Sequence, residues 1–178
     1  HRARPEHREA HRREPRRPSA GLVPRRPRLD VHRPAAGDPG AGIRSDGLLT
    51  IKGGAIETAQ GGEGGSGDGG KGIFGRTMKI LAGTIGTAKG GNATASNKNG
   101  GHGIHSDGDL TISGNATITN ATGGSCAKNS NNRYAGDGIH SDGDLTIFGG
   151  TIGTAQGGKG EGDSGDGGDG IYSEGTLT

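Results

Sequence analysis

Tryptophan is absent, aromatic residues make up only 2% of the chain, and there is one cysteine, Cys126. With hydrophobic residues at 26%, a wide two-layer core cannot be filled. The lone cysteine excludes an intramolecular disulfide. No second Cys or ligand-spaced His accompanies it, so it reads as a loop thiol rather than part of a zinc site. No apolar run approaches the ~18 residues that a membrane-spanning helix needs. No secretory leader is recognisable; the longest apolar patch near the start is Ala20–Val23. Helical periodicity is missing throughout. Proline is missing after Pro39, whereas all but three of the 42 glycines lie beyond Gly40. The chain opens on His1 and stops inside a repeat, which reads as a piece of a longer, C-terminally truncated array.

That shift in composition marks one boundary. Residues 1–41 carry eleven Arg against five acids, a net +6, while the remainder carries ten basic residues against fourteen acids, a net −4. The Arg/Pro-rich tail has too little apolar surface to offset the entropy of ordering and is expected to be disordered. Its charge would suit an anionic surface, but it has no aromatics to stack on bases. A solvated linker is therefore the preferred reading, with no nucleic-acid partner.

What the chain does have is repetition. Gly-Ile pairs begin at residues 42, 72, 103, 138 and 170, at intervals of 30, 31, 35 and 32 residues. The best copies are Gly103–Thr119 (G-I-H-S-D-G-D-L-T-I-S-G-N-A-T-I-T) and Gly138–Thr154 (G-I-H-S-D-G-D-L-T-I-F-G-G-T-I-G-T). A period in this range signals stacked units. In each unit a Ser-Asp-Gly turn precedes a Leu-Thr-Ile strand, then a glycine corner and a second strand around Ile56, Ile85, Ile118 and Ile152. Alternating Leu/Ile and Thr is the pattern of a half-buried strand. The expected fold is all-β, a parallel β-helix (β-solenoid) of about four coils with ~31-residue repeats over residues 42–178. Ile and Leu columns would fill a narrow core. The second copy loses one residue at Phe74–Met78, and the third gains one between Ile112 and Ile118.

Two polar columns emerge from stacking. Asp46, Asp107, Asp142 and Glu174 would form an acid ladder, which a hard cation such as Ca²⁺ could relieve. Plain turn chemistry, with Asp bonding its own following backbone, explains the same residues. Asp109 and Asp144 would extend the negative patch. One residue before the Ser-Asp-Gly turn, Arg44, Phe74, His105, His140 and Tyr172 would form an exposed stripe. Arg44, His105, His140 and Tyr172, with Asp109 and Asp144, are candidates for contacting a sugar. A stripe free to vary because nothing depends on it is the competing reading. The glycine-rich segments Gly61–Lys71 and Gly157–Asp169 read as flexible, solvated loops.

The repeated phrase G-I-H-S-D-G-D-L-T-I-S-G-x-T-I resembles the repeats of bacterial carbohydrate-binding β-helix domains, found in surface and secreted proteins of clostridia and related gut bacteria. The likeness covers residues 42–178. It implies a right-handed parallel β-helix outside the cell or on its surface, without catalytic activity, that binds acidic polysaccharide such as polygalacturonate, with calcium at Asp46, Asp107, Asp142 and Glu174. Two alternatives remain: an adhesin-like structural stalk, or a fragment of a polysaccharide lyase; the uncapped end coils would allow end-to-end association. A lyase needs a recurring column of Arg or Lys beside its acids, and no such column is present.

Overall fold

The structure is a computed structural model that describes residues 39–127, 133–161 and 165–178. The expectation for the tail falls, up to residue 38, outside the described residues. From Gly42 onward the described residues wind into stacked coils, with no helix among them. The first two coils open on long strands, β1 (Ile43–Gln60) and β2 (Ile73–Lys89). In the third, β3 (Ile104–Ser106) is separated from β4 (Leu110–Thr122), and β5 (Arg133–Tyr134) follows. The fourth holds β6 (Ile139–Ser141), β7 (Leu145–Ile147), β8 (Thr151–Gln156) and β9 (Gly165–Asp166), and β10 (Ile171–Ser173) starts the next. Every strand pairing is parallel, as a solenoid requires.

Register follows the repeat. Ile43, Ile73, Ile104, Ile139 and Ile171 stack in one column. Leu49, Met78, Leu110, Leu145 and Leu177 form a second. Ile51, Ile80, Ile112 and Ile147 form a third, and Ile56, Ile85, Ile118 and Ile152 a fourth. Ala59, Ala88, Ala121 and Ala155 form a fifth column, packed with the same core. The large members of the second and third coils are fully buried, while those of the first are half-buried. The deletion in the second copy is taken up between Ser45 and Leu48, and the insertion in the third opposite Ile80–Ala82. Both fall where the chain turns. Each corner places a glycine at positive φ: Gly54 (80°), Gly83 (97°), Gly114 (62°) and Gly150 (87°). An L side chain there would be strained.

The glycine-rich segments do not behave as solvated loops where they are described. Each coil sends out one glycine arm and brings one back, and the arms interleave. A single file of backbone hydrogen bonds of 2.7–3.0 Å runs through Gly62, Gly70, Gly91, Gly101, Gly124, Gly136, Gly158 and Gly168. Neighbouring backbones approach so closely that a Cβ on Gly101 would lie 2.0 Å from the Gly70 carbonyl oxygen. Glycine is therefore required by packing, and the arms form a second layer beside the Ile/Leu core.

Two substitutions separate these layers. Ile112→Ala should lower stability by about 2–5 kcal/mol through the cavity it leaves. Gly101→Ala should lower it by at least ~1–3 kcal/mol through backbone displacement. Gly65→Ala, whose Cβ meets nothing within 4 Å, should stay within ~0.5 kcal/mol of the parent. Urea-unfolding midpoints measure all three; equal midpoints for Gly101→Ala and Gly65→Ala would contradict the packed-arm description.

Candidate functional site

Side chains alternate along each short strand, so Ile104 and Ser106 point inward, as do Ile139 and Ser141, all with 0% exposure. His105, Asp107, His140 and Asp142 fall on the other face. Coil register sets Arg44, Phe74, His105, His140 and Tyr172 in one column, as expected. Their rings pack one against the next, edge-to-face from Phe74 through His105 to His140 and face to face at His140–Tyr172. The Arg44 guanidinium lies 4.9 Å from the Phe74 centroid, and successive ring centroids along the column are 5.6, 5.0 and 5.1 Å apart.

The column is not an exposed stripe. Phe74, His105 and His140 are only 8–9% exposed, and Tyr172 at the end is 40% exposed. The returning glycine arms cover the middle. His102 and Asp137, each immediately before a Gly-Ile pair, stand against this face, with the His102 ring 4.8 Å from His105 and 4.3 Å from His140. Neither residue was singled out in the sequence. Their signal was positional: Lys71, His102, Asp137 and Asp169 occupy the same place in successive repeats.

The result is a buried histidine–aspartate cluster. His140 Nδ1 is 2.6 Å from Asp137 Oδ2, and its Nε2 is 2.8 Å from Asp142 Oδ1. With a carboxylate at each nitrogen, both must donate, so the ring is an imidazolium. Burial acts to lower the His140 pKa, but the bonds and charges of Asp137 and Asp142 outweigh it and raise it above 6.5. His105 donates from Nε2 to the same Asp142 Oδ1 at 3.1 Å. Its Nδ1 is buried with no hydrogen-bond partner among the described residues. Burial, with His102 nearby, pushes its pKa down to about 4. His102 Nδ1 accepts the Asp137 backbone N–H at 2.9 Å, so that ring is neutral, and burial pushes its pKa down as well. Asp137 Oδ1 accepts the Asp169 N–H at 2.6 Å. Against the cost of burial, the bond from His140 Nδ1 and this one from the Asp169 N–H hold the Asp137 carboxyl far below the ordinary range.

The remaining predicted residues are placed as follows. Asp46 pairs with Arg44 at 2.8 Å on the surface. Asp107 lies 3.8 Å from His105 Nε2. Asp109 Oδ1 accepts the Asp144 N–H, and Asp144 Oδ1 accepts the Thr176 N–H, so this pair ties coil to coil outside the cluster. The Ser-Asp-Gly turn is held by its serine, not by the aspartate as expected: Ser106 Oγ donates to the Asp109 carbonyl at 3.0 Å, and Ser141 Oγ to the Asp144 carbonyl at 3.3 Å. Asp46, Asp107, Asp142 and Glu174 do not converge on one ligand set among the described residues. The sets that do converge are His102–Asp137–His140 and His105–His140–Asp142. Both contain nitrogen donors and do not fit an all-oxygen Ca²⁺ shell.

Beside the cluster lies an open cleft of about 660 Å³. His102, Asp137 and His140 line it together with Tyr134, Tyr172 and Glu174.

The titration directions set a pH profile for stability in buffer containing EDTA. His105 and His102 take up protons more readily in the unfolded chain, so stability rises with pH from about 4 to 6.5. His140 holds its proton more tightly in the fold, so its contribution is complete below 6.5 and is lost as pH rises through its raised pKa. Urea midpoints should peak near pH 6.5, and His140→Gln should abolish the alkaline decline. A decline that survives in that variant would refute the imidazolium assignment.

No family model matches the chain, nor does any curated protein or solved structure, so the functional reading rests on the chemistry of this site.

Proposed function

We propose that residues 42–178 form a non-catalytic glycan-binding module of a bacterial surface or secreted protein, and that the cleft beside the histidine–aspartate cluster is its binding site. The observation that carries this reading is the pairing of two exposed tyrosines with a polar lining. Tyr134 and Tyr172 are 60% and 40% exposed and line the same cleft as His102, Asp137 and His140. Ring faces that pack on sugar C–H surfaces, with a few fixed polar groups, are what a glycan site needs. Tyr172 is held in place by the His140 ring stacked 5.1 Å away at 30°, so little order has to be acquired on binding.

Charge narrows the ligand. Among the described residues, Asp137, Asp166, Asp169 and Glu174 line the cleft, and no Lys or Arg does. A neutral glycan meets no repulsion there. A uronate polymer would need a bridging cation such as Ca²⁺ between its carboxylates and Asp166, Asp169 and Glu174. The missing basic column also weighs against the lyase alternative.

Calorimetry with the full chain tests this against neutral polysaccharides, and against polygalacturonate with and without Ca²⁺. We expect binding that falls at least ~10-fold in Tyr172→Ala, as expected for loss of an aromatic anchor. Asp109→Asn/Asp144→Asn, at residues that do not line the cleft, should leave affinity unchanged. If a folded protein gives no heat with any polysaccharide, a stalk that only sets length is the better account.

A further inference from the structure

The phrase Gly-Ile-His-Ser-Asp-Gly occurs twice in successive coils, and register sets His105 beside His140 and Ser106 beside Ser141. His and Asp are two residues apart, so both point outward from the same strand face. Two adjacent His-x-Asp strands thus create a two-by-two patch of His105, Asp107, His140 and Asp142. Asp142 Oδ1 is 3.1 Å from His105 Nε2 and 2.8 Å from His140 Nε2, and Asp107 Oδ1 is 3.8 Å from His105 Nε2. In a tetrahedral shell with metal–ligand distances near 2.0–2.2 Å, donor atoms lie about 3.3 Å apart. The two Asp142–histidine separations fall within about half an ångström of that, and the donor atoms of His105, His140 and Asp142 all lie within 4.8 Å of one another.

We propose that His105 Nε2, His140 Nε2 and Asp142 bind a divalent transition-metal ion of the Zn²⁺ type, with the fourth position open to water. Two imidazoles and a carboxylate suit a borderline cation, whereas Ca²⁺ wants six to eight oxygens. The ion takes the place of the protons on the two Nε2 atoms. Support for the ligands is already built. Asp137 Oδ2 accepts from His140 Nδ1 at 2.6 Å and is itself fixed by the Asp169 N–H, the carboxylate–histidine–metal arrangement that orients a ligand. His105 has no such partner at Nδ1; its ring is positioned by packing, 5.6 Å from Phe74 and 4.8 Å from His102. The two imidazoles are buried, while the Asp142 and Asp107 side chains are 38% and 45% exposed, which provides an entry path.

The neighbouring set His102–Asp137–His140 is the poorer choice. His102 Nδ1 already accepts the Asp137 backbone N–H, and ligation there would leave a part-buried amide without a partner. The metal site shares only His140 with the Tyr-flanked cleft, and it does not depend on the glycan reading.

The test titrates the chelator-treated full chain with Zn²⁺ alone by calorimetry and with Co²⁺ alone by visible absorption. Histidines of the tail (His1, His7, His11 and His32) are common to every variant, so differences between variants report on the patch. The parent should bind one equivalent of Zn²⁺ more than His105→Gln/His140→Gln. Its Co²⁺ form should show four-coordinate d–d bands that Zn²⁺ displaces and equimolar Ca²⁺ does not. Asp142→Asn should weaken binding at least ~10-fold, and Asp137→Asn, a positioning change, by about 10–100-fold. Asp142→Asn is partly exposed and nearly isosteric, so it decides the matter if the double variant does not fold. Equal stoichiometry and affinity in the parent and Asp142→Asn, or uptake that the tail alone accounts for, would overturn the proposal and leave a hydrogen-bonded network only.

Discussion

The parallel hydrogen bond from one coil to the next is the constraint on which the rest of this protein depends. It repeats at about 4.8 Å and admits no slippage, because a one-residue shift would move every Ile and Leu from the core to the surface. With so little apolar material, the fold can only use each isoleucine where it has an isoleucine above and below it. The columns through Ile73, Ile104 and Ile139 and through Ile80 and Ile112 show the economy of this arrangement: side chains from adjacent coils exclude water from one another.

The glycine arms extend the same principle to a part of the chain with no side chains to pack. Interleaved outgoing and returning arms satisfy their backbone groups against each other, at separations that no Cβ would permit. Glycine carries a high entropic cost of ordering. Here it is offset by backbone hydrogen bonds within a buried layer, supplemented by side-chain ties such as Asn92 to the Ser125 N–H and Asp68 to the Asn99 N–H.

These two layers together produce the candidate site. The strand layer stacks His105 on His140, and the arm layer brings His102 and Asp137 across them. Neither layer alone would bury an imidazolium between two carboxylates. The cluster is costly to bury unless every partner is in place. The chain meets that condition at His140, whose two nitrogens are both satisfied, and leaves one open nitrogen at His105.

The sequence by itself determined the coil. The Gly-Ile period, the Leu-Thr-Ile alternation and the corner glycines specify strand, turn and register, because backbone hydrogen bonding and a period-two pleat leave no other way to bury the isoleucines. It also placed Arg44, Phe74, His105, His140 and Tyr172 in one column. Only the tertiary structure decided which members of that column are covered, and what stands against them. Burial depends on where the glycine arms run, and a Gly/Asp/Ser-rich segment has the same composition whether it is solvated or packed. His102 and Asp137 come within reach of His140 by backbone hydrogen bonds between arms, which leave no pattern in side-chain hydrophobicity. For the same reason His105 and Asp142, 37 residues apart, meet only once the coils are stacked.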